Sequence, residues 1–136
     1  MKSYPSIKRY RDDRYRGFQG ETFAKMDGSN LRFEWDSKKG WYRFGSRRRL
    51  LEKTDATFGN ALEIFLNGFA GPFEKHASTQ GWANAIVYCE FWGKDSFAGE
   101  HTPDDEKILT PIDVAVLKKG SFRLKNLFVT LTIFLT

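Results

Sequence analysis

Apolar and polar side chains alternate over residues 31–35, with Leu31, Phe33 and Trp35 on one side and Arg32 and Glu34 on the other. A period of two predicts a half-buried strand. Ser37-Lys38-Lys39-Gly40 reads as a turn and 41–44 as the partner strand, so residues 30–45 are expected to form a hairpin. Phe58, Leu62, Phe65, Leu66 and Phe69 recur at helical spacing. They predict an amphipathic helix over 57–69 with its apolar stripe in the core, stopped by Gly71-Pro72. Residues 85–92 form a continuous apolar strand broken by one acid, Glu90, and 108–117 form another that carries Asp113. A carboxylate in such a run needs a partner or a chemical task. Residues 93–107 read as a polar loop, and 21–26 as a short strand that delivers Lys25 to its end. The last stretch, 126–136, is apolar, β-prone and without charged side chains. It is shorter than the roughly 20 residues of a membrane span, and as a bare edge it would invite aggregation. The expected fold is α+β: one domain over 1–136, with a mainly antiparallel sheet carrying Lys25, Glu90 and Asp113 and the helix packed on it.

Composition narrows the class. The chain has 136 residues, 40% hydrophobic and 16% aromatic with thirteen Phe, which is a globular make-up with enough length to bury a core. The net charge is +5, which suits a polyanionic partner without requiring one. Residues 1–19 interleave Tyr4, Tyr10 and Tyr15 with lysines and arginines. Such a segment can stack on bases and pair with phosphates, or can be a solvated arm. A single cysteine, Cys89, excludes an internal disulfide framework and reads as a buried thiol. His76 and His101 are the only histidines, so there is no zinc-type Cys/His spacing. The N-terminus lacks an apolar signal region, so a cytoplasmic location and no membrane association are expected.

The candidate chemistry sits at Lys25-Met26-Asp27-Gly28-Ser29-Asn30. A lysine amine can attack the α-phosphate of a nucleoside triphosphate once burial or a nearby cation strips its proton. Gly28 permits a sharp turn and the close approach of a ligand. Asp27 can orient the amine or a metal-bound water. Asp-Gly between apolar runs is equally a hairpin-turn signal.

Further along come Ser46-Arg47, then Tyr88-Cys89-Glu90-Phe91-Trp92-Gly93, then Ile112-Asp113-Val114. Taken in order with the lysine box, these segments resemble the motifs of the covalent nucleotidyltransferases, which comprise RNA ligases, DNA ligases and capping enzymes. The resemblance covers about residues 4–118, including an opening Tyr4-Pro5-Ser6-Ile7 similar to the segment that precedes the lysine in RNA ligases. Asn30 stands where DNA ligases and capping enzymes usually carry Arg, so the chain resembles the RNA ligase branch.

The resemblance implies a partial ATP-grasp-like nucleotidyltransferase domain that takes ATP with Mg2+. It implies that Lys25 becomes adenylated and passes AMP to an RNA 5′-phosphate. It also implies nucleotide contacts from Asp27, Gly28, Asn30, Arg47 and Glu90, with Arg47 on the sugar, Glu90 accepting from a ribose hydroxyl, and Asn30 near the phosphate or the nucleic-acid end. No residue is assigned as a metal ligand. Arg47 as a surface charge and Glu90 as half of a structural ion pair are the competing readings, and Asp113 reads as structural. Where many relatives place a base-stacking aromatic, this chain has Ile112.

Two later family motifs are not matched after Leu117: a glutamate near a glycine, and a Lys-x-Lys pair that binds the triphosphate. Arg123-Leu124-Lys125 comes closest. The chain therefore resembles the N-terminal part of an adenylation domain, read as a truncated or frameshifted product or as half of a split protein completed in trans. Beside the ligase-like enzyme, the second reading of function is a non-catalytic nucleotide- or nucleic-acid-binding remnant, and the third a capping-type guanylyltransferase.

Overall fold

The expected hairpin forms between β1 (Ser29–Asp36) and β2 (Gly40–Ser46), which pair antiparallel. Asp36 closes it by accepting the Lys38 and Lys39 backbone N–H groups at 2.8 and 3.0 Å. Gly40 takes φ 74°, a left-handed conformation that glycine enters without penalty. The computed structural model describes residues 28–94, 104–118, 120–124 and 133–134. The expected strand at 21–26, with Lys25 and Asp27, lies outside them, as does most of the C-terminal stretch.

β1 also pairs antiparallel with β3 (Asn84–Trp92), which pairs with β4 (Ile108–Lys118), and a short β5 (Ser121–Leu124) follows. The strand order is β2-β1-β3-β4-β5, all antiparallel, so the α+β expectation holds. β5 has no counterpart in the sequence reading. The β3–β4 register shifts between Tyr88 and Cys89, opposite Pro111-Ile112-Asp113. A proline cannot donate to a ladder, so an irregularity is the natural place for it in a strand.

One sheet face carries Leu31, Phe33, Trp35, Val87, Cys89, Phe91 and Val114, and two helices cover it. α1 (Gly59–Gly68) is shorter than the expected helix. Asp55 accepts the N–H groups of Thr57 and Phe58 and fixes these two residues in the turn that leads into it. Leu66, counted in the apolar stripe, is exposed, and Ala61 takes the core position beside Phe65. The Phe65 ring lies flat on Phe33, with centroids 3.9 Å apart, and meets Trp41 edge-on.

Gly71-Pro72 does not end the helical segment. It opens α2 (Ala70–Thr79) after a single break at Phe69. Pro72 falls in the first turn, where its missing N–H has no intrahelical partner to lose. Ala70, Phe73 and Ala77 form the buried stripe of α2, with Phe73 edge-on to Trp35. At the other end of the chain, Ile133 is buried in the same core and Phe134 meets Phe69 edge-on at 5.7 Å. These two residues are helical, within a stretch whose composition is β-prone.

The second correction concerns the other sheet face. β1 was expected to be half-buried, yet Arg32 and Glu34 are 1% and 6% exposed. Tyr88, Ile86 and Ala115 are buried on that face too. Among the described residues no helix is long and apolar enough to cross a membrane.

Candidate functional site

The second face is ordered by register into rows that cross the sheet. Asn30, Glu90 and Thr110 are opposite one another on β1, β3 and β4. The next row holds Gly45, Arg32, Tyr88 and Asp113. Opposed residues on neighbouring strands have their Cβ atoms about 5 Å apart. Asn30 and Glu90, sixty residues apart in sequence, therefore share one spot at the end of the sheet where β1 begins. Glu90 is half-buried there.

Gly28 belongs to the same spot. A side chain on it would run into the Phe91 carbonyl and stand 2.8 Å from the Trp92 Cβ. The glycine is needed because backbone meets backbone: Gly28, just before β1, presses on the end of β3. Gly93, three residues after Glu90, has its own reason. Its φ is 107°, and a Cβ would collide with the Glu106 carbonyl. The glycines of the two segments thus both serve close packing at one sheet end.

β2 ends at Ser46, opposite Leu31, so Arg47 follows at the same end of the sheet as Asn30. It sits in an exposed bend, 47–49. Ser46 Oγ accepts the backbone N–H groups of Arg48 and Arg49 at 3.3 Å each, which fixes the bend. Arg49 Nη2 reaches Asp55 Oδ2 at 2.8 Å. The N–H of Phe58 above all, with the Arg49 guanidinium and the Thr57 N–H adding to it, holds the Asp55 carboxyl below the usual range.

Sequence reasoning did not single out the polar cluster underneath. Arg32 Nε donates to Glu34 Oε1 at 3.2 Å, and Arg32 Nη1 donates to the Ser46 carbonyl. Arg43 Nε and the Tyr42 hydroxyl both stand 3.4 Å from Glu34 Oε2. Burial, then the Glu34 charge, raises the Tyr42 phenol. The Arg32 guanidinium occupies the space over Gly45, where a Cβ would lie 2.7 Å from Nη2. Arg32 thereby anchors the end of β2 that carries Arg47. A signal for this existed: β3 is apolar at consecutive positions, which marks a strand buried on both faces.

Four of the six sequence-derived site residues, Gly28, Asn30, Arg47 and Glu90, therefore lie at one end of the sheet, while Lys25 and Asp27 fall outside the described residues. Asp113 lies one row away. It is buried and accepts the Val114 N–H at 2.8 Å, in keeping with a structural role. Ile112 packs in the small cluster of Ile86, Tyr88 and Ala115. Arg123 faces Val116 in β5, in a strand pairing rather than in a motif of its own. Cys89 points into the core, and burial pushes its thiol well up, so it is no nucleophile.

The donor set suits a nucleotide: an amide, a carboxylate and an exposed guanidinium beside close-packed backbone. Among the described residues no three His, Cys, Asp or Glu side chains converge on a metal position. Compared with models of known protein families and with curated proteins, the chain matches none.

Proposed function

We propose that this protein is an RNA ligase-like nucleotidyltransferase of partial ATP-grasp-like type, in which Lys25 takes up AMP from ATP and passes it to an RNA 5′-phosphate. The observation that supports this most is the packing of Gly28 against Phe91 and Trp92. It sets Gly28, the glycine of the lysine box, against the strand that carries Glu90, and register puts Asn30 beside Glu90. Lys25 precedes Gly28 by three residues.

In this reading the neutral Lys25 amine attacks the α-phosphorus, the P–N bond forms as the bond to pyrophosphate breaks, and the amine's proton passes to water. Mg2+ carried by ATP would supply charge compensation for the departing phosphates. Glu90 accepts a hydrogen bond from a ribose hydroxyl, and Asn30 donates to phosphate or ribose oxygen. Arg47 offers a planar fork of donors to the sugar edge. The phosphoramidate is then attacked by the 5′-phosphate of RNA, which returns the amine.

The test is incubation with α-labelled ATP or GTP and magnesium, followed by acid treatment of the denatured protein. Acid-labile labelling that prefers ATP and vanishes in Lys25→Ala is expected. Labelling that survives Lys25→Ala removes the assignment, and stronger labelling by GTP moves it to the capping branch. ATP binding without labelling assigns a nucleotide-binding module that needs a partner segment for the leaving pyrophosphate.

A further inference from the structure

Residues 37–53 contain seven lysines and arginines against one acid, Glu52, a surplus larger than the net charge of +5 for the whole chain. The structure gathers them along one edge. Lys38 and Lys39 lie in the turn, Arg43 on β2, Arg47 and Arg48 in the bend, and Lys53 in the loop beyond, all exposed. Arg43 is committed to Glu34 and Arg49 to Asp55. Among the described residues no carboxylate forms an ion pair with Arg48 or Lys53, and Lys39 acts on the nearby Asp36 carboxylate through its charge without a direct ion pair.

Tyr42 lies in the middle of this edge. The residue is 41% exposed. Lys39 Nζ stands 5.7 Å from the ring centroid and the Arg43 guanidinium 5.2 Å. Its hydroxyl is held to Glu34 Oε2, so the ring is oriented from beneath. Tyr42 also lines a groove of about 450 Å³ shared with Trp41, Phe44 and Leu50, whose charged lining is Arg43, Lys53 and the acid Glu52. A volume of roughly 300–1,000 Å³ is the range of small-ligand sites, and aromatic side chains beside a surplus of cations suit a nucleobase with its phosphate.

We propose that the β2 edge is a docking track for a single RNA strand, with Lys39, Arg48 and Lys53 on its phosphates and an unstacked base on Tyr42 at the groove. The seven residues of β2 carry these groups over about 20 Å at ~3.3 Å per residue, and the track ends at Arg47 in the candidate nucleotide site. A strand laid along it has its end delivered to that site. An acidic protein surface would use the cations but leave the oriented ring and its groove without a role, so a nucleic-acid strand is favoured. The identity of the strand as RNA rests on the ligase-like reading; the track itself does not.

The experiment is fluorescence anisotropy of the full chain with a 12-nucleotide RNA lacking a 5′-phosphate, without ATP, across a salt series. The variants are Tyr42→Ala and the triple Lys39→Gln/Arg48→Gln/Lys53→Gln. The same length of single-stranded DNA and heparin serve as competitors, and circular dichroism monitors folding. Each single-strand phosphate contact contributes about 0.7 to the salt slope, so the triple variant should weaken binding at low salt at least tenfold and lower the slope by about 2. Tyr42→Ala should weaken binding about tenfold with the slope unchanged. A folded triple variant that binds RNA with the parent slope overturns the track. Equal competition by heparin together with no effect of Tyr42→Ala also overturns it, leaving only nonspecific polyanion attraction. Preference for DNA over RNA overturns the RNA assignment. ATP binding and labelling are read separately, so a chain that docks RNA along this edge yet neither binds ATP nor becomes labelled refutes the ligase-like reading alone.

Discussion

Glu34 is the position where a single truncation should cost most for its size. Its carboxylate is 7% exposed and holds Arg32, itself 2% exposed, at 3.2 Å. It also holds Arg43, which is 40% exposed, at 3.4 Å. Removing one partner of a buried pair leaves the other charge desolvated and costs about 3–5 kcal/mol. Removing an exposed partner costs about 0–1 kcal/mol. Glu34→Ala should therefore destabilise by about 3 kcal/mol or more, and Arg43→Ala by under about 1. With an unfolding entropy of about 2.1 cal/mol/K per residue, 3 kcal/mol in a chain of 136 residues lowers Tm by roughly 10 °C. Arg32→Met/Glu34→Leu should recover much of the Glu34→Ala loss, because that pair buries no charge. The assay is urea unfolding followed by circular dichroism, with midpoints compared at constant m-value. Equal losses for Glu34→Ala and Arg43→Ala would refute the account of this face as a buried ion cluster.

Three further outcomes follow from the geometry. Gly28→Ala must push a methyl into the Phe91 carbonyl and the Trp92 Cβ; it should lower stability by about 1–3 kcal/mol and abolish ATP labelling, and unaltered melting would contradict the close packing. Asp55 has its pKa depressed in the folded state, so its stabilisation is present above the ordinary aspartate value of about 3.9 and is lost as pH falls below it. Urea midpoints between pH 2.5 and 6 should fall less steeply at the acid end for Asp55→Asn than for the parent. Cys89 is buried with its thiol pushed up, so a thiol reagent should react with it only when the chain opens, and reaction without urea at the rate of a free thiol would contradict its placement.

The elements most legible in the sequence were those whose pattern has large apolar residues at a single period. Leu31, Phe33 and Trp35 marked β1, and Phe58, Leu62 and Phe65 marked α1. α2 was hidden because two of its three buried positions are alanines, which carry little periodic signal, and because Gly71-Pro72 reads as a stop when it is a start. Arg32 and Glu34 read as the wet side of β1. Alternation reports which residues differ, not which face is dry, and only the apolar run of β3 next to them carries that information. For the candidate site, the residue types were readable from spacing, but the adjacency of Asn30 and Glu90 depends on a β1–β3 pairing that crosses both helices and cannot be counted along the chain.

The space above Gly45 is closed from two sides: a Cβ there would lie 2.7 Å from Arg32 Nη2 and 2.9 Å from the Arg49 backbone carbonyl. The guanidinium is the far end of a long side chain and can give way, whereas the carbonyl belongs to the bend that Ser46 fixes. In a library randomised at positions 32 and 45 and sorted for folding, glycine should therefore persist at 45 whatever stands at 32. Position 32 has a different tie, since losing its guanidinium strands the buried Glu34 carboxylate, so survivors altered at 32 should be those altered at 34 as well. Two neighbours across one pair of strands thus answer to different partners, one to backbone and one to charge.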